Sequence, residues 1–173
     1  LLLTETVEDM SDEKALEIIE NYIFSHRKAV TCPYRDNVAA IERIFYSLRS
    51  EMDILQPYIN DKSISEIMVN GKDNIFVEKN GHIKKLPLSF DSTEDLEELS
   101  RRIAGAVHRE INELNPIVDA RLSDGSRVNA VYKNVALNGP ILTIRKFPEH
   151  IMSMADFIRN GTITLEAARV LKV

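Results

Sequence analysis

Apolar residues recur three and four positions apart in the first fifty residues, which is the spacing of a helix with one buried stripe. Leu16, Ile19, Ile23 and His26 form the first stripe, after Ser11 at an N-cap position and Asp12 and Glu13 in the first turn. Pro33 suits the opening turn of a second helix, where Tyr34, Val38, Ile41, Phe45 and Leu48 repeat at steps of four and three. Two such stripes bury each other as a helical hairpin. The charged run RSEMD at 49–53 marks its boundary, and residues 54–59 read as a short helix or turn.

The pattern then changes to alternation, which is the signature of half-buried strands. SEIMVNG predicts a strand over Glu66 to Val69 with a turn at Asn70-Gly71. NIFVEKNGHIKKL predicts two strands about Asn80-Gly81, a type I′ hairpin signal. Asp91 or Ser92 caps a helix of about five turns, Thr93 to Arg109. Its stripe is Leu96, Leu99, Ile103, Val107 and Ile111, and Gly105 weakens it by about 1 kcal/mol unless something packs closely there. VDARL turns at Asp124-Gly125 into SRVNAVYK, and the loop NVALNG leads to PILTIRKF. SMADFIRNG reads as a short helix capped by Ser153 and closed by Gly161, and Thr164 starts another. No repeat or low-complexity tract interrupts this order.

Strand alternation sorts the polar side chains. Val128, Ala130 and Tyr132 share one face of their strand, and Arg127 and Asn129 share the other. In the last strand Leu142 and Ile144 face one way, Thr143 and Arg145 the other. With these strands paired, the apolar faces cover the helix of residues 93–109, and Arg127, Asn129, Thr143 and Arg145 converge on the far side. A two-residue turn at Asp124-Gly125 places Arg121 on the apolar side, and a bulge reverses that. Two guanidiniums on one face repel unless an anion lies between them, and the guanidinium fork suits phosphate. The competing reading is local ion pairing with Asp119, Asp124 and Glu149, since surface pairs are common and weak.

Composition narrows the classes. A chain of 173 residues with net charge −5 lacks the dense basic surface of a general nucleic-acid binder. Cys32 is the only cysteine, so no internal disulfide forms and a reducing compartment fits. No apolar run approaches the ~20 residues of a membrane helix, and LLLTETVEDM lacks the basic start of a signal peptide. The start at Leu1 and the stop at Val173 inside a helical pattern read as an excised piece of a longer protein. No G-x-x-x-x-G-K-[ST] window exists; Gly71-Lys72 is followed by Asp73 in a hairpin. His26, His82, His108 and His150 are scattered, so no metal site is expected. No nucleophile motif occurs, and Glu66 and Glu78 read as solvated hairpin carboxylates.

Taken together, SEIMVNG, IFVEKNG, PIVDARLSDGSRVNAV and GPILTIRKF resemble the N-terminal region of the type II and type IV secretion ATPases, most nearly the tight-adherence (Flp) pilus assembly branch. The resemblance covers about residues 52–173. It implies an α+β fold in which the helical hairpin read over 1–50, which matches the family only in general character, precedes a PAS-like antiparallel sheet with a long packed helix over 51–148 and a helical linker over 149–173 leading to a RecA-like ATPase domain. It further implies a hexameric motor on the cytoplasmic side of the bacterial inner membrane, hydrolysing ATP with Mg2+ for pilus assembly or secretion. Its partners would be its own RecA-like domain, neighbouring subunits and an inner-membrane platform protein. The matching phosphate contacts are Arg127 and Arg145, with Arg121 a third and Asn129 and Thr143 a supporting polar face. The chain stops before the P-loop, so no catalytic residue is expected within it and it is expected to be inactive alone. Two other readings remain: a PAS-like small-ligand sensor, and an interaction scaffold docking a partner through the helical hairpin. A nucleic-acid module ranks last.

Overall fold

The computed structural model describes residues 10–25, 34–148 and 152–171. The expectations for His26, Cys32, Pro33, Glu149 and His150, and for the Tyr34 side chain, lie outside what is described. Helices α1 (Asp12–Ser25) and α2 (Tyr34–Arg49) form the hairpin, with Ala15, Ile19 and Ile41 buried. Arg49 ties its ends together by donating to the Asp12 carboxylate at 2.6 Å and to the Met10 carbonyl at 2.7 Å. A 3-10 turn (Asp53–Leu55) and the short helix α3 (Gln56–Asn60) lead into the sheet.

The sheet has six antiparallel strands: β1 (Ile64–Asn70), β2 (Ile75–Lys79), β3 (His82–Lys85), β4 (Ile117–Arg121), β5 (Arg127–Val131) and β6 (Ile141–Arg145). Their spatial order is β3-β2-β1-β6-β5-β4, so the last strand inserts beside the first. The α+β class is therefore as expected. Between β3 and β4 runs α4 (Thr93–Ala106). Ser92, not Asp91, caps it. The Ser92 hydroxyl accepts from the Asp95 N–H at 3.1 Å, and the Asp95 carboxylate accepts from the Ser92 N–H at 2.9 Å, a capping box that satisfies two otherwise orphaned donors.

One face of the sheet and α4 share a single core. Ile67, Val69, Ile75, Val77, Val128, Ala130, Leu142 and Ile144 meet Leu96, Leu99 and Ile103 there. The helix ends three residues sooner than its apolar periodicity suggests. The Arg109 N–H returns to the Ala104 carbonyl at 2.9 Å, and His108 takes a left-handed φ of 55°. Ile111 still reaches the core, from the loop rather than the helix. Nothing packs against Gly105. α5 (Met154–Arg159), again boxed by Ser153 and Asp156, and α6 (Leu165–Leu171) complete the chain.

Two backbone irregularities set which residues face where. β1 is longer than its alternation implies because Ser65 is bulged: Ile64 pairs with Lys79 and Glu66 with Glu78. The extra residue lets Ile64 and Ile67 both enter the core although they lie three apart. At the β4–β5 connection the loop has three residues, Ser123–Gly125. The Leu122 N–H donates to the Ser126 carbonyl at 2.8 Å, and Gly125 sits at a φ of 88°. A three-residue loop with a left-handed glycine is a standard bulged hairpin. It moves Arg121 opposite Arg127 and away from the apolar face where a two-residue turn would leave it.

Candidate functional site: an arginine row on the open face

The face of the sheet turned away from α4 carries a cross-strand row of charges. Glu66 on β1 faces Arg145 on β6, Arg145 faces Arg127 on β5, and Arg127 faces Arg121 on β4. Directly opposed side chains of an antiparallel pair stand about 4.5–5.5 Å apart at Cβ. The next row on the same face is Met68, Thr143, Asn129 and Asp119. Every residue expected in the polar site is thus brought to one face, Arg121 included. Arg127 and Arg145 remain 67% and 69% exposed. Glu66, Asp119, Arg127, Asn129, Thr143 and Arg145 line a shallow depression of about 240 Å³. Beside the row a groove of about 830 Å³, reaching Ser65, Glu78 and Lys146, leaves that end of the sheet open to approach.

Like charges directly opposite each other across strands destabilise a sheet, and this one places three guanidiniums in succession. Two carboxylates relieve part of the repulsion. Asp119 accepts a two-pronged bond from Arg127, at 3.0 Å to Nε and 2.7 Å to Nη2. The bonds from Arg127 hold the Asp119 carboxyl below its ordinary range and raise the guanidinium in turn. Arg145 meets Glu66 less closely, with Nη2 3.4 Å from both carboxylate oxygens. Neither acid is deeply buried: Asp119 is 46% and Glu66 16% exposed. Among the described residues Arg121 has no acidic partner. The local pairing expected from Asp119 therefore exists, and Asp124 instead bonds Ser126.

Two features escaped the sequence reading. Glu66 belongs to the row because β1 lies beside β6, a pairing seventy-nine residues apart in the chain, which alternation cannot reveal. Glu97, on α4, is a buried acid 3% exposed. Lys133 Nζ lies 2.7 Å from its Oε1, Arg101 donates at 3.0 Å and the Tyr132 hydroxyl at 3.1 Å. Burial opposes its ionisation, but the bonds from Lys133 and Tyr132 more than offset this and hold the carboxyl below its usual range. The i,i+4 spacing to Arg101 was the one visible signal. Lys146, next to Arg145 in the chain, donates from its ammonium to the Asp61 carbonyl at 2.7 Å.

This fold has known counterparts. The family profile of type II/IV secretion system proteins matches residues 49–172. The chain belongs to that family. Among its relatives, the uncharacterized protein MJ0781 of Methanocaldococcus jannaschii is 35% identical over 150 residues, covering 86% of this chain and 20% of that protein. The type IV secretion system protein VirB11 of Brucella suis is 27% identical over 124 residues, covering 71% and 34% respectively. The crystal structure of the Brucella suis VirB11 ATPase in complex with sulphate shares the fold, with a TM-score of 0.57 at 23% identity over 65% of this chain and 35% of that one. The chain spans about a fifth to a third of the length of these relatives. Among the described residues no helix is long and apolar enough to cross a membrane.

Proposed function

We propose that this chain is the nucleotide-sensing, assembly-forming part of a secretion or pilus-assembly motor, and that its arginine row contacts the phosphates of an ATP held by a RecA-like domain outside this sequence. The observation that carries the reading is the alignment of Arg121, Arg127 and Arg145 on one open face. Such alignment is unfavourable by itself and is relieved by an anion with more charge than a carboxylate. The donor set fits a phosphate: planar forks with several N–H groups and a permanent positive charge. It does not fit Mg2+, which takes oxygen ligands, so the metal that accompanies ATP would be held elsewhere. In this reading Asn129 and Thr143 support the polar face, residues 1–50 form a docking hairpin, and residues 149–173 begin the linker. Closure of the neighbouring domain onto the arginines would link hydrolysis to domain movement.

The whole protein would then be a homohexamer at the cytoplasmic face of the membrane, working on a platform protein of its secretion or pilus system. By its motifs it stands nearest the tight-adherence branch. Its matched relatives come from both an archaeon and a bacterium, so the membrane is whichever bounds the cytoplasm. In the full-length protein Arg145→Ala should slow ATP turnover at least about 10-fold while nucleotide affinity changes far less, since a phosphate-facing arginine can contribute ~10³–10⁵ to turnover. Unchanged turnover would remove the role. The 173-residue chain alone should release no phosphate from ATP, and clear hydrolysis by it would overturn the assignment.

A further inference from the structure

The three arginines are not equally available. Arg127 is held by two short bonds to Asp119, Arg145 is held by two long ones to Glu66, and among the described residues Arg121 has no acid. Both carboxylates lie on the same open face as the arginines and line the same depression. A phosphate that takes the Nε–Nη2 edge of Arg127, or the Nη2 group of Arg145, must displace the acid that holds it. Resting on the phosphate reading of this face, we infer that Asp119 and Glu66 are placeholder anions: they occupy Arg127 and Arg145 while the face is empty, and a polyphosphate must displace them to engage the row.

The pairing has two effects. It relieves the repulsion within the row when no ligand is bound, and it raises the charge an anion needs in order to bind. A singly charged carboxylate gains little by replacing another carboxylate, whereas a triphosphate offers more charge and more acceptor oxygens to the same forks. Exposed pairs of this kind are individually weak, so the barrier is low enough for a polyphosphate to pass. Selection for polyphosphate over ordinary anions thus comes from competing acids as well as from the arginines.

The alternative is that the acids position the arginines for the ligand, and the two ideas differ in sign. Inorganic triphosphate is titrated into the 173-residue chain at constant ionic strength, with the arginine Nε–Hε signals followed by NMR. Asp119→Asn keeps the shape and removes the charge. It should lower the half-saturating triphosphate concentration about 2- to 5-fold, the range set by the weakness of an exposed pair. Glu66→Gln should do the same to a smaller extent, since its contact is longer. Asp73→Asn, which removes an acid paired with Lys72 at 3.3 Å in the β1–β2 turn, away from the row, should leave the titration unchanged. Unaltered or weaker binding by Asp119→Asn, or an equal gain from Asp73→Asn, overturns the inference while leaving the phosphate reading intact. If Arg121→Ala/Arg127→Ala/Arg145→Ala together bind triphosphate as well as the parent, the phosphate reading itself falls and this inference with it.

Discussion

Gly71 closes the turn after β1 at a φ of 71°, and its N–H donates to the Pro140 carbonyl at 2.9 Å. A Cβ placed on it would lie 2.2 Å from the Asn138 carbonyl oxygen. That contact is with backbone, so no side-chain rotation relieves it. Gly71→Ala therefore combines a left-handed alanine, at about 1–2 kcal/mol, with displacement of the β5–β6 loop and a weakened hydrogen bond worth about 0.5–1.5 kcal/mol. A total near 3 kcal/mol follows. For a chain of this size it corresponds to a loss of roughly 6–12 °C in Tm. Gly81 provides the comparison: its φ is 76° and nothing lies within 4 Å of its added Cβ, so Gly81→Ala should show only the conformational cost of about 1–2 kcal/mol. Thermal and urea unfolding, followed by circular dichroism, measure both variants. Equal losses at the two positions would refute the role of the Asn138 contact and show that the loop yields freely.

Gly105 has ordinary helical geometry and open space around it, so Gly105→Ala should stabilise the chain by about 0.4–1 kcal/mol, read from the urea midpoint; destabilisation would show that some contact there matters. Asp53 takes a left-handed φ of 52°, and burial raises its carboxyl above the ordinary range despite the bond from the Ile54 N–H at 2.6 Å. A raised acid favours the folded state most when protonated, and that contribution is lost as pH rises through the folded value. Asp53→Asn should therefore unfold at higher temperature than the parent near neutrality, with the advantage shrinking as pH falls through the raised folded value and gone below the unfolded carboxylate value near ~3.9. A pH-independent difference would rule out this origin.

The elements were readable wherever one local rule governed them. The Asn80-Gly81 hairpin, the cap at Ser92, the apolar stripe of Leu96, Leu99 and Ile103, and the common face of Arg127 and Arg145 all follow from turn chemistry and side-chain alternation. What depended on an extra or missing residue was harder to read. The bulge at Ser65 lengthened β1, and a third loop residue moved Arg121 to the open face. α4 stopped at Ala106 although Val107 and Ile111 continue its period, because the chain turned back at His108. The place of β1 next to β6 was beyond reach from local pattern, and with it the partnership of Glu66 and Arg145. Each of these misses concerns backbone pairing at a distance or a one-residue shift in register, and neither leaves a mark in hydrophobic periodicity.

The Phe147 ring lies where a Cβ on Gly125 would be only 3.2 Å away, and the Phe147 N–H reaches the Ser126 hydroxyl at 3.3 Å. Phe147 is also two residues past Arg145, where the chain leaves the sheet. The hairpin that fixes the phasing of Arg121 against Arg127 is thus clamped by the segment in which the chain leaves β6. A displacement of Phe147 would reach the β4–β5 tip, and with it the pairing of Arg121 opposite Arg127, through these two contacts.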